Sequence, residues 1–379
     1  MIEKNFVKLV KKIYKKNSDI QLHEPYFNKD DVKCVSECIK STFVSSVGKN
    51  VDIFAKSISK FTKSKYVIPI VNGTSAIYIS LYALGVTHND EVLVPSYTFV
   101  GTCNPILYLG ANPVFMDIDK DNLSMCPNKL YDFLKKKTKK TKEGLKNKKT
   151  NKIIKCCLVV HPYGFPAEIN KLRKICNMFN IKLIEDAAEA LGTYHDGKHV
   201  GTKGDLSILS FNGNKIITTG GGGAILTQNY SFYRKIKHIS STSLIKKSYY
   251  NSYDKLGFNL RMPNLNASLG ISQLKKINKY LELKKKVHLS YKNFFKKTDI
   301  TLFETSKKNK ANYWLNTIKF KNEKNKKIFL KYCIDRKIHV KPGWLPVHTF
   351  NHFRKYQCSN LDNTNTIHKL IVNLPSSAI

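Results

Sequence analysis

The sequence predicts an α/β protein: a mostly parallel sheet with helices on both faces, followed by a smaller α+β domain. Three observations support this. Between residues 66 and 227, short apolar runs alternate with turns and helical segments. Those runs are mainly apolar, as expected of strands in a sheet covered on both faces. Beyond about Met262 the rhythm weakens and helix-dominated segments take over. The chain has 379 residues, 42% of them hydrophobic, enough for a large core in one big domain or two unequal ones. We place the domains at 1–260 and 261–379.

Taken in order, the first 60 residues read as helices and turns, with Asp30 and Asp31 capping a helix whose apolar face is Val32, Val35, Cys38 and Ile39. Tyr66 to Val71 is a short buried strand, Asn72 to Ser75 a turn, and Ala76 to Leu84 a helix closed by Gly85. Glu91 to Val94 is the next strand. It is followed by a helix from Thr102 to Leu109 stopped by Gly110, and by a strand from Pro113 to Asp117. Further strands are expected at Cys157–Val160, Lys182–Glu185 and Leu206–Ser210. Between two of these units, the Lys-rich stretch 135–150 is nearly devoid of apolar residues and reads as a mobile surface loop. In the last third, 266–285 reads as one long helix and 313–320 alternates like a strand. Asn325 is the expected N-cap of a helix running to Lys337.

Net charge is +38, which taken alone suggests nucleic-acid binding. Nearly all of it is Lys; Arg stands only at 173, 234, 261, 336 and 354. Reading bases or gripping phosphates favours the planar Arg fork. Lys is also accompanied by abundant Asn, Ile and Tyr, so the charge reads as genomic composition displayed on a solvated surface, with no nucleic-acid partner. Nine cysteines form no Cys-x-x-Cys pair and no zinc pattern, so no metal is expected. No apolar run approaches the roughly 20 residues that span a bilayer, and the N-terminus lacks a signal-peptide core. A cytoplasmic protein without membrane insertion is the expectation.

In open α/β sheets, ligands bind where loops leave the carboxyl ends of strands. Four such loops carry candidate groups. Asn72 to Ser75 opens a helix, where free N–H groups and the hydroxyls of Thr74 and Ser75 can hold a phosphate. Phe99 follows a strand and offers a face to a planar ring, although core packing explains a lone aromatic equally well. Asp186 ends a strand, either as a helix N-cap or as a partner for a protonated pyridine nitrogen. Lys215 lies beyond the strand ending at Ser210, just before the glycine run 220–223. Singly, each has a bland explanation. The ordered set points to a fold-type-I pyridoxal 5′-phosphate site.

At this point the chain resembles the DegT/DnrJ/StrS family of nucleotide-sugar aminotransferases. The resemblance runs from about Glu24 to the C-terminus. It rests on Asn72-Gly-Thr-Ser-Ala76, Val94-Pro-Ser-Tyr-Thr-Phe-Val100, 110–119, His161-Pro-Tyr-Gly164, 185–192, Ser210-Phe-Asn-Gly-Asn-Lys215 and 257–262. It implies a large, mostly parallel seven-stranded sheet domain with a smaller C-terminal domain, and pyridoxal phosphate as cofactor. By the same resemblance, Lys215 forms the Schiff base and moves protons, Asp186 pairs with the pyridine nitrogen and Phe99 stacks on the ring. Thr74, Ser75 and Ser210 bind the phosphate, and Glu189 lies close to cofactor and sugar. Asn259 reaches the cofactor of a neighbouring subunit, which implies a homodimer.

Two departures narrow the activity. Gly221 stands where many members have Glu. With Glu189 and the stretch 44–49, this resembles the legionaminic-acid-type subgroup, which implies L-glutamate as donor and C4 of a nucleotide-linked 4-keto-6-deoxy-N-acetylhexosamine as acceptor, in surface-glycan or nonulosonic-acid synthesis. The lysine is itself present, whereas related dehydratases carry His there, which implies transamination. The alternatives are amination at C3 and, far behind, a basic nucleic-acid-binding protein.

Overall fold

The computed structural model describes residues 2–246 and 250–378. Its chain opens with three helices, α1 (Ile2–Tyr14), α2 (Lys29–Lys40) and α3 (Lys49–Thr62). α1 buries Phe6, Val7, Val10 and Tyr14, a stripe with the helical repeat. The start of α2 differs from expectation. Asn28 is the N-cap, and a capping box forms as its side chain accepts from the N–H of Asp31 while Asp31 accepts from the N–H of Asn28. The expected apolar face is turned around as well: Asp31 is buried, held by Lys276, while Val32 and Ile39 are exposed. A buried carboxylate that serves both the cap and the half-buried Lys276 ammonium faces inward in place of two aliphatic side chains.

The strand–helix alternation then begins: β1 (Tyr66–Ile70), α4 (Gly73–Ala83), β2 (Asp90–Pro95), α5 (Val100–Tyr108), β3 (Asn112–Met116) and α6 (Pro127–Lys137). Gly85 (φ +74°) and Gly110 (φ +69°) end α4 and α5 in the left-handed conformation, as expected of them. Next come β4 (Thr138–Thr141), β5 (Gly144–Asn147), β6 (Ile153–Val160), α7 (Ile169–Met178) and β7 (Lys182–Asp186). The short strands β8 (Tyr194–His195) and β9 (Lys198–His199) form a hairpin before β10 (Leu206–Ser210), β11 (Gly223–Thr227) and α8 (Tyr230–Ile239).

The seven central strands lie in the order β1-β11-β10-β7-β6-β2-β3. Pairing is parallel from β10 across to β3 and antiparallel at β10–β11 and β11–β1. The sheet has nine strands in all, because 135–150 is not the expected loop. After the end of α6 it forms the antiparallel hairpin β4–β5, which joins the sheet beside β6. Three contacts explain the order in so basic a stretch. Leu145 packs in the core cluster of Phe133 and Leu134, and buried Thr138 bonds to the carbonyl of Leu134. Asn147 donates to Glu91 Oε2 (2.7 Å) and Gln357 Oε1 (2.9 Å). Backbone pairing needs only every second side chain inside, so the lysines can remain in water.

The remaining elements are β12 (Leu244–Lys246), β13 (Asn251–Tyr253), α9 (Asn264–Lys275), α10 (Ile277–Phe295), β14 (Thr301–Leu302), β15 (Asn316–Lys319), α11 (Glu323–Ile334), β16 (Lys341–Pro342), α12 (Asp362–Ile367) and β17 (Ile371–Leu374). The single helix expected over 266–285 is two, broken at Lys276. α11 is capped by Asn322, whose side chain accepts from the N–H of Asn325, and it ends three residues before Lys337. A second, antiparallel sheet, β14-β15-β17-β16, shares one hydrophobic cluster with α1, α10 and α11, where Phe6 meets Tyr291, Phe294, Phe295 and Phe329. Among the described residues no helix is long and apolar enough to cross a membrane.

Candidate active site

A cleft of about 760 Å³ opens at the carboxyl ends of β2, β6, β7 and β10 and is closed on its far side by Trp314, Leu315 and residues from 339–344, and by the N-terminal segment at 21–23. Thr74, Phe99, Asp186, Glu189, Ser210 and Lys215 all line it. Two expected residues do not. Ser75 lends its N–H to the Asn72 side chain (2.7 Å) and its own side chain is outside the wall. Asn259 lies apart from the cleft, exposed, opposite Ser241 in an isolated bridge.

Asp186 sits at the floor. Adjacent strand residues face opposite ways, so Glu185 and Asp186 at the end of β7 serve different surroundings. Glu185 turns into the interior and accepts from His161 Nε2 (3.0 Å) and the N–H groups of Gly201 (2.9 Å), Lys203 (2.8 Å) and Gly204. The N–H of Ala167 donates to His161 Nδ1, so the ring proton is on Nε2. Burial opposes the charge on Glu185, but these donors outweigh it and hold its carboxyl at about 2. Asp186 turns into the cleft, with Oδ2 accepting from Thr102 Oγ1 (2.8 Å) and Oδ1 from the N–H of Ala188 (3.1 Å). Thr98 backs Thr102 at 2.8 Å. Burial raises the Asp186 carboxyl above the usual range despite the Thr102 bond. A cationic N–H facing it would relieve that cost.

Lys215 reaches in from the turn after β10. Its Nζ stands 3.3 Å from Glu189 Oε1 and 4.1 Å from the centroid of the Trp314 ring. The turn is fixed from both sides: the N–H of Lys215 donates to Asn212 O (3.0 Å), and Trp314 Nε1 donates to Asn214 O (2.6 Å). Glu189 is oriented by the N–H of Tyr163 (2.8 Å), a residue held at φ +55°. A tyrosine in the left-handed region costs about 1–3 kcal/mol, and here the strain aims a donor at the site. Asn312 completes the frame, donating to the carbonyls of Glu189 (2.8 Å) and Leu191 (2.9 Å) and accepting from the N–H of Trp314 (2.8 Å).

Burial pushes the Glu189 carboxyl up to about 7, although Lys215 and the Tyr163 N–H oppose the shift. Glu189 therefore holds its proton more firmly in the folded than in the unfolded chain. Its contribution to stability is complete below its ordinary value of 4.5 and is lost as the pH rises through about 7. In the cofactor-free protein, Glu189→Gln should flatten the Tm-against-pH curve across that window. A wild-type curve identical to the variant's would refute the assignment.

These residues fit pyridoxal phosphate. The first turn of α4 has N–H groups without intrahelical partners, and Gly73 presents bare backbone: a Cβ there would lie 3.2 Å from Ser210 Cβ. That corner suits a phosphate. Asp186 suits a pyridine nitrogen, and Lys215 an aldehyde carbon between the two. Phe99, at the N-cap of α5, folds its ring over Gly101, where a Cβ would come within 2.8 Å of the ring. Sequence reading missed Thr102, Tyr163, Asn312 and Trp314 as site residues. One signal was available: the chain has two tryptophans, and both Trp314 and Trp344 line the cleft.

Known proteins point the same way. Residues 25–378 match the model of the DegT/DnrJ/EryC1/StrS aminotransferase family. GDP-perosamine synthase of Vibrio cholerae is 32% identical over 363 residues, covering 94% of this chain and 94% of that protein. The protein of the same name from Escherichia coli O157:H7 is 32% identical over 343 residues, 89% of this chain and 88% of that one. Among solved structures, Helicobacter pylori PseC, an aminotransferase involved in the biosynthesis of pseudoaminic acid, superposes with a TM-score of 0.85 at 24% identity, covering 94% of this chain and 93% of its own.

Proposed function

This chain belongs to the DegT/DnrJ/EryC1/StrS aminotransferase family and is a pyridoxal phosphate-dependent sugar aminotransferase; from that premise we propose that it moves an amino group from L-glutamate to C4 of a nucleotide-linked 4-keto-6-deoxyhexose. The observation carrying this reading is the meeting of Lys215 Nζ, the Asp186 carboxylate and the first turn of α4 in one cleft.

When bound, pyridoxal phosphate supplies an electron sink for the carbon that gains or loses the amino group. In the proposed reaction Lys215 Nζ takes the proton from the α-carbon of glutamate and later delivers one to C4 of the sugar. Glu189, 3.3 Å away, and the Trp314 face hold Lys215 ready and balance its charge. Asp186, fixed by Thr102 and Ala188, keeps the pyridine nitrogen protonated. Thr74, Ser210 and the first-turn N–H groups of α4 hold the phosphate, and Phe99 covers the ring. The 57% exposed Phe99 ring and a run of exposed apolar side chains at Val32, Ile39, Phe43, Val44 and Val47 favour a homodimer that covers them, with Asn259 turned towards the second subunit.

Two relatives named GDP-perosamine synthase make a GDP-linked keto-sugar the first substrate to test, ahead of an N-acetylated, legionaminic-type one. Incubation of the purified protein with L-glutamate and GDP- and UDP-linked 4-keto-6-deoxy sugars, read by mass spectrometry and NMR, should yield a 4-amino product from one of them. Amination at C3, or no amination of any, would refute the proposal.

A further inference from the structure

His23 lies in the extended stretch between α1 and α2 and faces the same cleft as Lys215. Both of its ring nitrogens are shielded from solvent, and neither has a hydrogen-bond partner. A buried donor and a buried acceptor left unpaired are costly, and proteins rarely keep them without a use. Nor is the ring adrift. The backbone is fastened on both sides of it, by the N–H of Ser376 donating to Leu22 O (2.8 Å) and by the N–H of Glu24 donating to Ser377 Oγ (2.8 Å). Polar groups nearby are already engaged: Lys284 donates to the carbonyls of Trp314 (3.2 Å) and Ser376. The imidazole thus borders the cleft, positioned by its neighbours without bonding to them, so a turn of the ring is enough to present a nitrogen to a ligand there.

We propose that His23 reads the sugar: its imidazole hydrogen-bonds a hydroxyl of the keto-sugar while the reacting carbon lies at Lys215. The chemistry selects a hydroxyl. Burial, with Lys284 and Lys215 nearby, holds the ring well below its usual range and so neutral, with one N–H donor and one bare acceptor nitrogen. A hydroxyl can both donate and accept and so matches that pair. The carboxylates of glutamate only accept, so they could pair with the N–H but would leave the bare nitrogen without a donor. Unlike Asp186 or Lys215, His23 needs no part in bond making, so its effect falls on one of the two half-reactions. A site built to bond a hydroxyl also discriminates strongly against analogues that lack it.

This inference rests on the sugar aminotransferase reading, and the test separates the two. In the holoenzyme each half-reaction is followed by single-turnover absorbance, one with L-glutamate and one with the keto-sugar. If the wild-type protein converts none of the keto-sugars, the functional reading fails before any variant is made. Given conversion, His23→Ala should raise the keto-sugar constant about tenfold to a hundredfold and leave the glutamate constant unchanged. His23→Asn, which keeps a donor and an acceptor, should recover part of the loss. Unaltered cofactor absorbance and Tm would show that the variants are folded. On the wild-type protein, one member of a monodeoxy keto-sugar panel should show a rise of the same size. An unchanged keto-sugar constant, parallel loss of both half-reactions, an effect on glutamate alone, or a panel with no such member would each overturn the inference.

Discussion

Lys215→Ala should abolish transamination while leaving the protein folded and able to bind pyridoxal phosphate non-covalently. Loss of the acid/base group alone costs about 10²–10⁴-fold, and loss of the covalent attachment adds to that. The packing around the side chain predicts a second effect. Lys215 Nζ is the positive charge that holds down the Glu189 carboxyl, which burial otherwise raises. Without it, Glu189 should protonate at still higher pH, and the Trp314 face should lose its cation. The measurement is turnover with L-glutamate together with the visible absorbance of the lysine-linked cofactor. Retained turnover, or retained absorbance of that linkage, would remove Lys215 from the role proposed for it.

Asp186→Asn should be nearly as severe, by a different route. The substitution keeps the shape of the side chain and at least one of its bonds to Thr102 and Ala188, but removes the negative charge that Asp186 places at the floor of the cleft. Removing one member of a buried charge pair costs about 3–5 kcal/mol, or roughly two to four orders of magnitude in the equilibrium or rate that depends on it. Turnover should fall on that scale and cofactor affinity should weaken with it. Thr102→Val is the companion variant: Asp186 keeps its charge but loses its anchor, so a smaller loss is expected. An Asp186→Asn enzyme with wild-type turnover would show that this carboxylate is only a helix cap.

Much of this architecture was legible in the sequence because its signals are local. Strands such as Tyr66–Ile70 and Val92–Val94 within Asp90–Pro95 are apolar runs, as expected where both faces are buried. Gly85 and Gly110 ended helices where expected, since few other residues enter the left-handed region without strain. The stretch 135–150 was misread because its composition is that of a loop. Its hairpin depends on Leu145 and Asn147 meeting Phe133, Glu91 and Gln357, contacts up to 210 residues apart. Helix caps were displaced for a related reason. Asn28 and Asn322 compete with nearby polar residues that are equally good in isolation, and the bond actually formed is decided by where the helix docks.

The candidate site divides along the same line. Lys215, Asp186, Phe99 and the Gly-Thr turn could be named from order and chemistry, because each ends a strand, opens a helix or sits in the turn just beyond a strand on the sheet's carboxyl edge. What surrounds Lys215 could not. Trp314 comes from the far end of the chain, Tyr163 supplies a strained backbone N–H, and Asn312 ties Trp314 to the backbone at Glu189 and Leu191. None of these roles has a local signature. Likewise His23 is an ordinary residue in an extended segment until Ser376 and Ser377 pin that segment beside the cleft. The sequence by itself determined which chemistry this chain can perform, since reactive groups and strand ends are properties of short segments. Only the tertiary structure decided how Lys215 is held, what Glu189 titrates against and which imidazole beside the cleft is left without a partner, because burial and long-range contacts exist only once the chain has closed on itself.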